Sequence, residues 1–92
     1  MDAKEAVGLA KAHIRELYAE EEIADLGLEE IQFDDRQGVW SVTLGFSRPW
    51  DRPRNPIQTL APDFHVKRTY KTLRIANDTK LVLAVMSREV KV

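Results

Sequence analysis

The side chains best suited to recognition in this sequence are a tryptophan and several arginines set among prolines, in residues 48–56. Tryptophan and arginine most often carry the binding energy of protein interfaces, and proline stiffens a chain before it binds. The pattern predicts a recognition loop with four partner-binding residues: Arg48, Trp50, Arg52 and Arg54. The alternative is structural: Trp50 covers a sheet edge or the end of the core, and the arginines pair with the acidic first third of the chain.

Four more basic residues follow this loop, and they suggest a second kind of ligand. They are Lys67, Arg68, Lys71 and Arg74. Such a row can follow a phosphate backbone while Trp50 or Tyr70 stacks on a base. The sequence pI of about 6.1 lies far below that of a dedicated nucleic-acid domain. Weak nucleic-acid or polyanion binding is therefore the alternative function, ranked below protein binding.

Catalytic and metal-binding patterns are weak. Residues 45–49 begin like the G-x-S-x-G elbow, but Pro49 stands where the second glycine is required. His13 and His65 form no two-ligand motif. The adjacent carboxylates at 29–30 and 34–35 are expected on or beside a strand, where sequence neighbours point to opposite faces. We predict no catalytic residue, no metal and no cofactor, and thus a non-enzyme.

Length and composition favour a small globular domain. The chain has 92 residues, 43% apolar and 32% charged, so one domain over residues 1–92 is expected. It has no cysteine, which excludes disulfides and thiol chemistry and suggests a reducing compartment. Neither a signal-peptide pattern nor a membrane-length apolar run is present. These features predict a cytoplasmic protein without a membrane partner.

Charge is distributed unevenly along the sequence. Residues 1–35 contain three basic and eleven acidic residues, a net charge of −8, whereas residues 36–92 contain eleven basic and four acidic residues, a net charge of +7. With a helical first third and a sheet in the remainder, the folded protein would present an acidic side and a basic side.

The first element predicted is an amphipathic helix. Asp2 and Glu5 have the spacing of a capping box. Apolar residues then recur every three or four positions and define one stripe, made of Ala3, Ala6, Val7, Ala10, Ile14, Leu17 and Tyr18. The helix either ends near Ala19 or bends and continues to Leu26, and in both cases Gly27 is expected to close it.

Alternating apolar residues after Gly27 predict strands. One contains Ile31 and Phe33, and a turn at 34–38 leads to the clearest strand, at 40–47. All four prolines fall in 48–63, which predicts a long loop. A third strand is expected at 64–76 with a bulge near 70–72, and a fourth at 81–86 that is apolar in both phases, as central or doubly covered strands often are. The fold class is α+β: an N-terminal helix packed on a four-stranded antiparallel meander, with a proline-rich loop between strands 2 and 3.

Three stretches resemble a group of small bacterial proteins of uncharacterised function. They are residues 26–30 (Leu-Gly-Leu-Glu-Glu), residues 40–50 (Trp-Ser-Val-Thr-Leu-Gly-Phe-Ser-Arg-Pro-Trp) and the closing strand at 81–86. The layout looks like PepSY-type and cystatin-like domains and some toxin-immunity proteins. The resemblance implies a protein that acts by binding or inhibiting.

The sequence thus predicts a non-enzymatic protein-binding module of immunity, inhibitor or accessory-subunit type. Its partner is an unidentified protein, which binds the loop at 48–56. A homodimer formed through apolar strands or the back of the sheet is a further expectation, because a symmetric interface must complement itself.

Overall fold

A computed structural model describes residues 1–49 and 68–88 of the chain. It contains one helix followed by four strands: α1 (Ala3–Leu17), β1 (Ala24–Asp34), β2 (Val39–Ser47), β3 (Thr69–Ala76) and β4 (Val82–Ser87). The strands form one antiparallel sheet in the order β1-β2-β3-β4. The predicted α+β fold, a helix on a four-stranded meander, is confirmed. The predicted proline-rich loop lies outside the described residues from position 50 onward.

The helix begins where its sequence predicts. The side chain of Asp2 accepts a hydrogen bond from the Glu5 amide at 2.8 Å, which satisfies a donor that the first turn leaves unpaired. The helix ends at Leu17, and the Tyr18 amide caps it by donating to Ile14 O and Glu16 O. The shorter of the two predicted helices is therefore right to within two residues. The longer helix, closed at Gly27, is wrong, because Gly27 lies in β1.

One face of the helix and one face of the sheet enclose the core. Eight core residues are fully buried: Ala6, Ala10, Ile14, Val42, Leu44, Phe46, Leu73 and Ile75. Burial of each large aliphatic or aromatic side chain stabilises the fold by about 1.5–3 kcal/mol. The small alanines on the helix let its backbone approach the sheet. The predicted stripe is confirmed at its centre, but Leu17 at its end is 55% exposed.

Two irregularities interrupt the pairing of β1 with β2. The register shifts between Ala24 and Gly27 and again between Leu28 and Glu30. An extra residue in one strand of an antiparallel pair bends that strand and redirects the side chains that follow it. Asp25, inside the first irregularity, has a φ of 58°, a left-handed conformation that aspartate tolerates better than most residues.

The pairing of β2 with β3 is regular. It runs residue by residue from Val39 opposite Ala76 to Phe46 opposite Thr69. The bulge predicted near 70–72 is wrong for this pair, and the register shift occurs instead between β3 and β4, at Arg74 and Ile75. Since directly opposite residues share a face, Leu73 and Ile75 point to the helix, whereas Tyr70 points away from it.

Within the described ranges, no helix is long and apolar enough to cross a membrane.

Candidate functional site

The end of β2 is fixed by Arg48. Its guanidinium donates two hydrogen bonds to the Glu21 carboxylate, from Nε to Oε2 at 2.9 Å and from Nη2 to Oε1 at 2.6 Å. The same group lies 4.9 Å from the centre of the Tyr18 ring, which packs in turn on Phe46. Bidentate arginine–carboxylate pairs are among the strongest charge-assisted contacts. The residue that opens the predicted recognition loop is thus bound to the turn after the helix.

Arg68 anchors the chain where it enters β3. Its Nη2 donates to the Asp25 carbonyl oxygen at 2.8 Å and lies 4.0 Å from Glu29 Oε1. The strands that carry the two arginines are neighbours, because Phe46 pairs with Thr69. Arg48 and Arg68 therefore lie side by side at the two ends of the segment that joins β2 to β3. Both bind the stretch of chain between Glu21 and Glu29. We call this pair the arginine stems.

Most of the predicted partner-binding residues are outside the described part of the chain. Trp50, Arg52 and Arg54 fall in the undescribed segment 50–67, as does Lys67 of the predicted polyanion set. Arg48 is described and is 22% exposed in its pair with Glu21. This contact matches the structural alternative considered for the arginines, and a contact between Arg48 and a partner stays a prediction.

The sheet separates the basic residues predicted to bind polyanions. Arg68 and Arg74 lie on the face turned away from the helix, which we call the outer face, whereas Lys71 lies opposite Leu44 on the helix side. Lys71 Nζ donates to Ser87 Oγ at 2.7 Å, and Arg74 Nη2 donates to Gln37 Oε1 at 2.6 Å. The described members of the set do not form one continuous patch.

A network of hydrogen bonds covers the centre of the outer face. Thr43 and Thr72 share a hydrogen bond of 2.8 Å, and Arg88 Nη1 donates to Thr43 Oγ1 at 3.0 Å. Arg88 also pairs with Glu30 at 2.8 Å. The sequence analysis did not identify Arg88 as a functional residue. Arg88 follows Met86 and Ala84 at intervals of two residues, and this spacing places all three side chains on the outer face.

Gly45 leaves space for three side chains that converge on the outer face. A Cβ at this position would lie 3.0 Å from Glu29 Oε1, 3.0 Å from Tyr70 Cε1 and 3.1 Å from Arg68 Nη2. A larger residue would have to displace these groups. The glycine therefore allows Arg68 to lie flat across the sheet toward β1.

An apolar groove lies on the helix side of the sheet. It runs between α1 and the start of β4, and its lining residues are Leu9, Ala12, His13, Glu16, Lys80, Leu81 and Val82. Leu81, just before β4, is 62% exposed, and Leu83 within β4 is 54% exposed. The sequence predicted an apolar fourth strand but favoured a central or doubly covered position. Among the described strands β4 is at the end of the sheet.

His13 lies in this groove, and His65 is outside the described residues. Searched over residues 1–49 and 68–88, the structure has no cluster of three or more histidine, cysteine, aspartate or glutamate residues that could hold a metal ion.

Comparison with protein-family models, with curated proteins and with solved structures gave no match. The resemblance to small bacterial binding proteins stays a prediction.

Proposed function

We propose that this protein is a non-enzymatic protein-binding module whose contact residues lie in the segment between the arginine stems. The predicted contacts are Arg48, at the start of this segment, and Trp50, Arg52 and Arg54 within it. The observation that carries the proposal is the anchoring of both stems to the same acidic stretch, through Glu21, the Asp25 carbonyl and Glu29.

Anchored stems matter because ordering a loop on binding costs free energy. Each immobilised, rotamer-rich side chain costs about 0.5–1.5 kcal/mol, and a loop whose ends are already fixed loses less freedom. Arg48 follows β2 and Arg68 precedes β3, and these strands are neighbours, so the segment between the two arginines starts and finishes at the same end of the sheet. At the start of this segment, Arg48 is held by its ion pair with Glu21.

The test is affinity capture of partners from the native host by the tagged full-length chain. Wild type is compared with a Trp50→Ala/Arg52→Ala variant and with a matched control, Phe33→Ala/Arg36→Ala. The control likewise removes one aromatic residue and one arginine, at the described turn end of β1, where Phe33 is 44% exposed and Arg36 is exposed. Bound proteins and nucleic acid are both identified.

We expect one protein to be retained by wild type and by the control variant, and lost by the Trp50/Arg52 variant with little change in melting temperature. Equal capture by all three would contradict the loop assignment. A large fall in melting temperature for the Trp50/Arg52 variant would show that Trp50 belongs to the core. Recovery of nucleic acid with a steep dependence on salt would favour the polyanion alternative instead.

A further inference from the structure

The side of β4 that faces away from β3 has backbone groups with no partner strand among residues 1–49 and 68–88. The Arg88 amide donates to Tyr70 O at 3.1 Å, toward β3. Because backbone groups in an antiparallel strand point alternately to one side and the other, the amides and carbonyls of Val85 and Ser87 point away from β3. In the described part of the chain, no strand pairs with that side. Such a row of donors and acceptors is a template for another strand.

The two edges of the described sheet differ in their protection against pairing. β1 carries acidic side chains along its length, and these are Asp25, Glu29, Glu30 and Asp34. β4 has no charged residue between Val82 and Ser87 and no proline, and two of its side chains, Leu83 and Met86, are 54% and 44% exposed. Proteins usually protect an open edge with charge, proline or a bulge that twists it away. β4 has a register shift at its beginning, and its second half is straight.

We propose that β4 pairs with β4 of a second copy of this chain, antiparallel and around a twofold axis at Val85. In this register each Val85 exchanges two backbone hydrogen bonds with its counterpart, and Ser87 of one copy faces Leu83 of the other. Ala84 faces Met86 on the outer face. The two sheets become one sheet of eight described strands. This dimer does not depend on the proposed function of segment 48–56.

A second copy fits β4 better than β1 of another molecule does. An uncharged strand complements itself, as a symmetric interface requires. Pairing of β4 with β1 would be a head-to-tail contact, which leads to open chains, and it would place the carboxylates of β1 beside an apolar strand. In the proposed register the paired residues from Ala84 to Ser87 carry no charge, so no two like charges are directly opposed there.

The groove beside β4 enlarges the surface available to this dimer. Stable interfaces bury about 1,200–2,000 Å² in total, more than two short strands provide. Leu9 and Ala12 on α1 and Leu81, just before β4, line the groove on the helix side. Twofold pairing of the strands brings the grooves of both copies to the same face of the joined sheet.

The oligomeric state of the full-length chain tests the proposal. Wild type is compared by sedimentation equilibrium with Leu83→Lys, which puts a charge on the open edge opposite Ser87 of the other copy, and with Leu28→Lys as the matched control. Leu28 is 45% exposed on the opposite edge strand. We expect a wild-type dimer, a dimer constant weakened at least about tenfold by Leu83→Lys, and little change for Leu28→Lys.

Hydrogen exchange on wild type provides a measurement that needs no variant. The amides of Val85 and Ser87 should become more protected as protein concentration rises, since dimer formation follows mass action. A wild-type monomer at about 0.5 mM would overturn the proposal. A dimer insensitive to Leu83→Lys, or open chains that Leu28→Lys disperses, would overturn it as well.

Discussion

Arg48 binds its own chain through a carboxylate and an aromatic ring, and both partners lie in the segment that follows α1. The arginine and Glu21 are 22% and 30% exposed, so water screens their attraction only in part. We predict that Arg48→Ala lowers the free energy of unfolding by about 1–2 kcal/mol, because charged hydrogen bonds contribute about 1.5–3 kcal/mol when little exposed. Urea unfolding of the variant measures the loss.

A double-mutant cycle separates this pair from other effects of the substitution. Arg48→Ala, Glu21→Ala and the double variant should give a coupling energy of about 1 kcal/mol. Arg48→Lys should recover little of it, since an ammonium group cannot make the bidentate contact. Additive losses would mean that Arg48 acts through its packing on Tyr18 and not through Glu21.

For single residues, the sequence shows which side chains are suited to strong contacts, but not which residues of the chain they contact. Tryptophan and arginine beside proline drew attention to Arg48, and pairing of the arginines with the acidic third was considered as an alternative. Nothing local could select Glu21, which is 27 positions away and reaches Arg48 only because the chain turns at Tyr18 and enters the sheet at Ala24. The role of Gly45 was hidden for the same reason, since its close neighbours come from β1, β3 and the entry to β3.

The N-terminal cap of α1 contributes measurably to the stability of the fold. Asp2 accepts from the Glu5 amide, while the Glu5 carboxylate pairs with Lys80 in the turn before β4. We predict that Asp2→Ala costs about 1 kcal/mol and Asp2→Asn much less, because asparagine also caps helices well. Both values come from urea unfolding followed by circular dichroism.

Glu5→Gln is the matched comparison for this cap. Its ion pair with Lys80 is 40% and 53% exposed, and exposed pairs contribute about 0.2–1 kcal/mol. We expect a smaller loss than for Asp2→Ala. An equal or larger loss would indicate a full capping box, with the Glu5 side chain returning to the Asp2 amide.

The strands show where periodicity stops being informative. The sequence of β2 alternates without interruption over the strand predicted at 40–47, and its inward side chains Val42, Leu44 and Phe46 are fully buried. β1 begins at Ala24, although the sequence predicted a strand only after Gly27. The sequence does not show this beginning because two register shifts between Ala24 and Glu30 interrupt the alternation of apolar and polar residues. The apolar run of β4 was visible, but an apolar edge and a buried centre have the same pattern. Only the strand order distinguishes them.

On the scale of the whole molecule, the acidic and basic halves are joined rather than separated. Each of the ion pairs observed among the described residues links an acid from the first 35 positions to a base from the remainder, namely Arg48–Glu21, Arg68–Glu29, Lys80–Glu5 and Arg88–Glu30. The expectation of an acidic helix side and a basic sheet side is therefore wrong in its premise, since β1 brings acidic residues into the sheet. Part of the basic charge is neutralised within the fold.

This arrangement predicts that added salt destabilises the protein. The net charge is only −1, so general repulsion is small, and the specific attractions between the two halves are what salt screens. Raising NaCl from about 0.02 M to 0.5 M should lower the free energy of unfolding in urea by about 1 kcal/mol, in keeping with several partly exposed pairs of about 0.2–1 kcal/mol each. The Glu30→Gln/Arg88→Gln variant should show a weaker dependence on salt. Stabilisation by salt would instead mean that repulsion among carboxylates such as those at 20–22 outweighs the attraction between the halves.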